Sequence, residues 1–301
     1  MTLSRGTILF TALLGAQAFA VPPTAEKAFR RFQAEVPQGA ETPVRLFEEM
    51  RSWPLELVLE ASRIACADGV ANPHATNDME RQASAGSRVF LLLDYYAEAI
   101  AELPDASERM GRLCTSVFAM AFDRSESIFM RRAILDMARY HPNTRLSAAM
   151  TEYSVKRADE VEAKISLIAG SDSEPADLRR DAVHTLHMAI DYRLRTTLLA
   201  DAVVRAGLEE RRMRGDTKAG PIELPPGGIE ALEPKTRSAY SAIDAAARRH
   251  SEVFAAVLGN PATPTLVREE IGRVLDSWKG LALSSETLAL IAEVWTAVGV
   301  P

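Results

Sequence analysis

The stretch Leu178-Arg179-Arg180-Asp181-Ala182-Val183-His184-Thr185-Leu186-His187-Met188-Ala189-Ile190-Asp191 decides the fold class. Ala182, Val183, Leu186 and Ile190 fall on one face of a helix, as side chains spaced three and four apart do at 3.6 residues per turn. No run of alternating Val, Ile or Thr bounded by an Asn-Gly or Asp-Gly turn appears anywhere, so the same reading extends outward along the chain. Start and stop signals repeat it. Thr42-Pro43 offers an N-cap with proline at the first helical position, Asp105-Ala-Ser-Glu108 is a capping box behind Leu103-Pro104, and Ser284-Ser-Glu286 opens a last helix. The pattern predicts helices near 24–35, 42–51, 54–68, 77–102, 105–122, 125–139, 143–169, 175–190, 192–213, 235–258, 264–279 and 285–298. Short connections such as Tyr140-His-Pro142-Asn, Gly170-Ser-Asp-Ser173 and Gly259-Asn-Pro261 force consecutive helices to turn back as antiparallel hairpins.

An arginine ahead of an apolar helical stretch recurs at Arg45, Arg88, Arg131, Arg179 and Arg268, in steps of 43, 43, 48 and 89. The last step is close to two of the others. Leu91 and Tyr95, Ile134 and Ala138, Ala182 and Leu186, and Ile271 and Leu275 stand three and seven residues beyond four of these arginines. Met130, Leu178 and Val267 precede three of them. In this pattern, clearest in Val267-Arg268-Glu-Glu-Ile271 and Leu178-Arg179-Arg-Asp-Ala182, the chain resembles HEAT-like repeats of ~40–47 residues. The resemblance implies an α-solenoid of antiparallel helical hairpins, an elongated body whose curved face binds a protein or peptide. The other all-α arrangement open to these helices is an irregular multi-helix bundle. Arg45 is followed by Glu48 where an apolar residue is expected, and the slot midway between Arg179 and Arg268 falls in a segment that cannot be helical.

That segment, Gly215 to Pro234, holds four glycines and four prolines in 20 residues. It divides a helical repeat region over 21–214 from a C-terminal helical region over 235–301, as a mobile insertion, a linker, a lid or a docking arm.

The chain has 301 residues, 47% hydrophobic and 25% charged, which is globular composition; 6% aromatic is thin for a β-sandwich or barrel. A net charge of −6 argues against a nucleic-acid binder or a polybasic membrane-surface protein, since both need excess Lys and Arg. Residues 1–20 read as a secretory signal peptide: Arg5, an apolar run from Ile8 to Leu14, then Ala18-Phe19-Ala20, with cleavage between Ala20 and Val21. The mature protein is expected to be periplasmic or secreted, without a membrane span.

Cys66 and Cys114 lie on two helical stretches, 48 residues apart. A disulfide between them would contribute ~4 kcal/mol by loop entropy; the alternative is two buried thiols acting as small hydrophobes. No Gly-x-Ser-x-Gly, His-Glu-x-x-His, phosphate-cradling glycine loop or Cys-x-x-Cys occurs, and no cofactor is implied. Asp181, His184, His187 and Asp191 share one helical face, opposite the apolar stripe, and are the residues that could hold Zn²⁺ or a similar metal; otherwise they form a solvated polar face. His74, His141 and His250 read as structural, and the charges from Lys156 to Lys164 as a wet helix surface. Three functions fit this sequence: a binding or scaffolding module, a metal-dependent enzyme centred on residues 181–191, or a helical bundle with a Met-lined apolar pocket for a small molecule or lipid.

Overall fold

A computed structural model of the chain describes residues 24–36, 44–139, 142–214 and 222–298. The signal-peptide reading with its Ala20–Val21 cleavage point, His141, and residues 215–221 lie outside the described residues. Among the described residues every regular element is a helix. In chain order these are α1 (Ala25–Glu35), α2 (Val44–Met50), α3 (Leu55–Val70), α4 (Asp78–Ile100), α5 (Ala106–Phe122), α6 (Ile128–Met137), α7 (Arg145–Lys156), α8 (Ala158–Gly170), α9 (Ala176–Ala200), α10 (Ala202–Met213), α11 (Pro234–Gly259), α12 (Thr265–Lys279) and α13 (Ser285–Val298).

Local chemistry sets many of the starts. Thr24, Asn77, Ser127, Thr144 and Asp201 each accept a backbone N–H from the first turn of the helix they precede. This satisfies donors that a helix otherwise leaves unpaired. Two expected boundaries differ. The stretch 143–169 is two helices broken at Arg157, whose φ of −121° and ψ of 32° leave the α region. The expected break near Asp191 is absent, and α9 runs on to Ala200, where Asp201 both caps α10 and accepts the backbone N–H of Glu233 at 2.9 Å.

Four hairpins form the body: α3–α4, α5–α6, α8–α9 and α11–α12. Their second helices pack in series, α4 on α6, α6 on α9 and α9 on α12, while α3, α5, α8 and α11 form the adjoining layer. Helix α7 is inserted against α4, α5 and α8, and α13 covers α11 and α12. In two hairpins the recurring arginine has the same structural role: it reaches from the second helix back to a carbonyl at the C-terminal end of the first. Arg131 Nε donates to the Ala121 carbonyl at 3.0 Å and Arg179 Nε to the Ala169 carbonyl at 3.1 Å. Arg268 donates to the carbonyls of Thr263 and Asn260, beyond α11, and Arg88 pairs with Asp68 near the end of α3. Carbonyls at a helix C-terminus lack intrahelical donors and carry the negative end of its dipole, so a guanidinium there meets both needs. Arg45 stands exposed on α2.

The 89-residue step from Arg179 to Arg268 is therefore one hairpin, with α10 and the Gly/Pro segment inserted, because α9 packs directly on α12. The described part of that segment is laid on the body. Leu232 is buried, Ile222, Leu224 and Ile229 pack partly against the core, and Gly227 and Gly228 turn the chain at φ 100° and 66°. One continuous core runs from Ala28 to Val294, with Trp53, Phe254 and Trp278 among its largest members. The two regions flanking the segment share it, so the segment does not separate independent cores.

Candidate functional site

The face bearing Asp181, His184, His187 and Asp191 lies where α6 and α12 pack on α9, and each side chain there has a different partner. Asp181, 4% exposed, accepts from Arg132 Nε at 2.7 Å and Arg180 Nη2 at 2.8 Å, with Arg139 at 3.8 Å. His184 Nδ1 meets Glu270 Oε1 at 3.1 Å, and Asp191 pairs with Arg195 at 2.8 Å. Trp278 Nε1 donates to His187 Nδ1 at 2.9 Å. Indole N–H only donates, so His187 Nδ1 carries the lone pair and, in the neutral ring, Nε2 carries the proton. That tautomer has no lone pair left for a metal, and Asp181 is committed to three guanidinium groups. The geometry does not gather the four into a ligand set, and among the described residues no group of three or more His, Cys, Asp or Glu side chains could hold a metal ion. Nor is the face fully solvated: Asp181 is buried and burial pushes the His187 imidazole below its ordinary value, while His184 and Asp191 remain partly exposed. The partners Arg132, Glu270 and Trp278 come from helices far away in sequence, which no local pattern announces.

A second polar group joins α8, α9 and α11. Glu162 receives Arg193 Nη1 and lies 3.1 Å from His250 Nε2, while His250 Nδ1 lies 3.2 Å from Ser166 Oγ. Burial alone would raise the Glu162 carboxyl, but His250 and Arg193 more than offset it and hold it below the usual carboxylate range. With Glu162 1% and His250 3% exposed and both ring nitrogens engaged, this group ties three helices together. Glu162 thus leaves the wet surface that the sequence pattern assigned it.

A groove of about 830 Å³ opens between α5 and α7, closed at one end by the start of α3. Helix α7 turns Arg145, Ala148, Ala149, Glu152, Tyr153 and Lys156 toward it, residues spaced three and four apart on one face. From α5 come Ser107, Gly111, Cys114 and Thr115. The middle of the groove is thus walled by small side chains. A smaller cavity of about 300 Å³ adjoins it, shares Leu55, Glu56, Glu108 and Arg112, and ends at Trp53 and Tyr96. The two helices run in the same direction: Leu146 at the start of α7 donates its N–H to Asp94 on α4, and farther on Tyr153 stacks on Phe118 at 5.4 Å.

Packing does not explain Gly111, nor Gly207 on α10, and of the two Gly111 lines the groove. A Cβ built on Gly111 meets nothing within 4 Å, and a mid-helix glycine costs ~1 kcal/mol relative to alanine. Gly69 is the opposite case, since a Cβ there would lie 2.5 Å from Ala85 Cα, so the α3–α4 crossing requires it. Around the groove Lys156 pairs with Glu152, and Arg157 covers the Tyr153 ring at 5.0 Å. Glu56, Glu108 and Arg112, where the two cavities meet, are in no ion pair among the described residues. Helix pattern alone marks Gly111 and Ala148-Ala149 only as weak helix positions; that they face one another across a groove depends on the tertiary placement of α7.

The thiols are free and buried in separate places, and no disulfide joins them. Cys66 on α3 lies 3.7 Å from Ser127 Oγ, whereas Cys114 lines the floor of the groove, where burial pushes its pKa up to about 12. The small-hydrophobe reading describes both. No family model, curated protein or solved structure matches the chain.

Proposed function

We propose that the chain is an exported binding module, an α-solenoid of HEAT-like hairpins that holds another protein or peptide in the groove between α5 and α7. The serial packing of four hairpins supports the solenoid reading. The leader-like residues 1–20 support export to a periplasm or beyond the cell; among the described residues no helix is long and apolar enough to cross a membrane. One observation carries the binding reading. Gly111 sits mid-helix on the floor of this groove with open space above it, where the fold has no use for a missing side chain and a close-approaching ligand does.

Gly111→Leu provides the test, because Gly111 lines the groove and a Cβ built there meets nothing within 4 Å. Affinity purification of the exported protein from its host is expected to bring down a partner with the parent chain and to lose it with the variant, with helicity kept and a melting temperature no lower than the parent's. Retention of the same partner by Gly111→Leu would place binding elsewhere. Replacing both His184 and His187 by Ala is expected to leave that partner in place. Small-angle scattering is expected to report an elongated particle, and a compact sphere would remove the solenoid reading.

A further inference from the structure

Three of the five histidines make contacts across one junction, that between the α8–α9 and α11–α12 hairpins. The two earlier junctions are tied differently. At each, a glutamate five residues ahead of the recurring arginine accepts from a guanidinium of the preceding hairpin. Glu126 takes Arg63 Nε at 2.8 Å and Nη2 at 2.6 Å, and Glu174 takes Arg131 Nη1 at 2.7 Å and Nη2 at 3.1 Å. The residue five ahead of Arg268 is Thr263, whose hydroxyl donates to the Val257 carbonyl at 2.6 Å. Arg179, the counterpart of Arg131, is 2% exposed, and its Nη2 has no acceptor among the described residues. The carboxylate clamp of the first two junctions is therefore missing from the third.

The histidine contacts respond differently to a proton. Between α8 and α11, His250 Nε2 lies 3.1 Å from Glu162 Oε2, and Arg249 pairs with Asp159 at 3.0 Å. A charged His250 keeps its contacts, because an imidazolium donates from both nitrogens and both Glu162 and Ser166 Oγ can accept. Between α9 and α12, the contact of His184 with Glu270 survives for the same reason. That of His187 does not. Trp278 Nε1 donates to His187 Nδ1 at 2.9 Å, an imidazolium has no lone pair, and Trp278 is 0% exposed. Protonating His187 sets two donors against each other and leaves a buried indole N–H unpaired.

The carboxylates near this ring are already engaged. Asp191 pairs with Arg195 at 2.8 Å, and Glu270 with His184 and Arg273. The His184 ring stands 6.1 Å from that of His187 and adds like charge when it too is protonated. Of the other helices on α9, α6 directs Arg132 and Arg139 to Asp181, and α8 and α11 present Glu162 and His250 to each other and to Arg193. Asp201, ahead of α10, holds backbone N–H groups. Burial keeps His187 neutral above about pH 6.5, and the ring charges as pH falls through its lower folded value.

We infer that the third junction is an acid-operated hinge: protonation of His187 parts α12 from α9 while the α8–α11 contact holds as the axis. Because α9 and α12 belong to one layer and α8 and α11 to the other, opening one side alone changes the curvature of the hairpin stack. The hinge is independent of what the groove between α5 and α7 receives.

Pulsed-EPR distances between nitroxide labels on the full-length exported protein test this. Thr196→Cys with Ser277→Cys spans α9 and α12, and Leu167→Cys with Glu252→Cys spans α8 and α11. All four positions are exposed, whereas Cys66 and Cys114 are buried. Between about pH 7.5 and about pH 5 the first pair is expected to gain a longer-distance population and the second to keep its distance. His187→Gln retains an acceptor for the indole but cannot titrate, and is expected to abolish the change. An unchanged first pair, a lengthening of both pairs, or a longer-distance population persisting in His187→Gln at pH 5 would overturn the inference. The parent protein alone supplies the first two readings, so they stand whether or not the variant folds.

Discussion

Changing glycine to alanine at two helical positions is expected to move stability in opposite directions. At Gly69 the added methyl lies 2.5 Å from Ala85 Cα, 2.6 Å from Ala85 N and 2.9 Å from the Ser84 carbonyl carbon. Unbonded carbons rest at ~3.5–4.0 Å, so α3 and α4 must part by ~1 Å. The obstacle is backbone, which no rotamer change relieves. That separation loosens an interface built on Ala61, Ala65, Val89 and Leu92, all 0% exposed. Overpacking of this kind costs ~1–3 kcal/mol, and the rigid obstacle places Gly69→Ala at the upper end, ~3 kcal/mol. Better helix propensity offsets at most ~1 kcal/mol, leaving a net loss of ~2 kcal/mol. At Gly111 nothing lies within 4 Å of the new methyl, and the same propensity term stabilises by ~1 kcal/mol. At ~2 °C per kcal/mol for a chain of this size, Gly69→Ala is expected to melt ~4 °C below the parent and Gly111→Ala ~2 °C above it. Circular dichroism at 222 nm with temperature reads both. A Gly69→Ala protein as stable as the parent, or a Gly111→Ala protein less stable, refutes the packing assigned to α3–α4 or the empty space assigned to α5.

Three other perturbations have definite expected outcomes. Glu174→Ala leaves the 4%-exposed Arg131 without its 2.7 Å partner and is expected to cost ~3 kcal/mol in urea denaturation. The Glu174 carboxyl is held below its ordinary 4.5 by its hydrogen bond from Arg131, so its contribution is complete above about pH 4.5 and lost as pH falls through the lower folded value. The variant should lack that part of the acid dependence, and an unchanged acid profile counts against it. Burial puts the His187 imidazole below its ordinary 6.5, so stability from keeping it neutral is complete above about pH 6.5 and declines as pH falls toward the folded value. Proton NMR should find this ring titrating below 6.5, and a midpoint at or above 6.5 contradicts its placement beside Trp278. Finally, Cys66 and Cys114 are expected to resist a thiol reagent in the folded protein and both to react in denaturant without reductant; no reaction there would mean a bridge.

Much of the architecture was legible because it rests on local chemistry. Apolar spacing located the helices and Ser284 caps α13, but Asp105 pairs with Arg109 instead of capping α5. The arginine recurrence marked an equivalent contact in two hairpins, Arg131 to Ala121 and Arg179 to Ala169. Where sequence pattern misled, a tertiary partner decided. The segment expected to be one helix over 143–169 breaks at Arg157, and the polar face of α9 is covered because Arg132 and Glu270 reach it from α6 and α12. The Gly/Pro composition announced a loop but not that Ile222, Leu224 and Leu232 would hold it against the body. The groove was least legible, since α5 and α7 are separated by α6, and nothing in either strip of sequence states that they become neighbours.

Hydrogen–deuterium exchange of the protein with its co-purified partner bound, compared with the protein alone, tests binding at the groove most directly. Slowed exchange concentrated in residues 106–116 and 145–157 is the expected result. Protection confined to the exposed faces of α9 and α12, with those two segments unchanged, would contradict it.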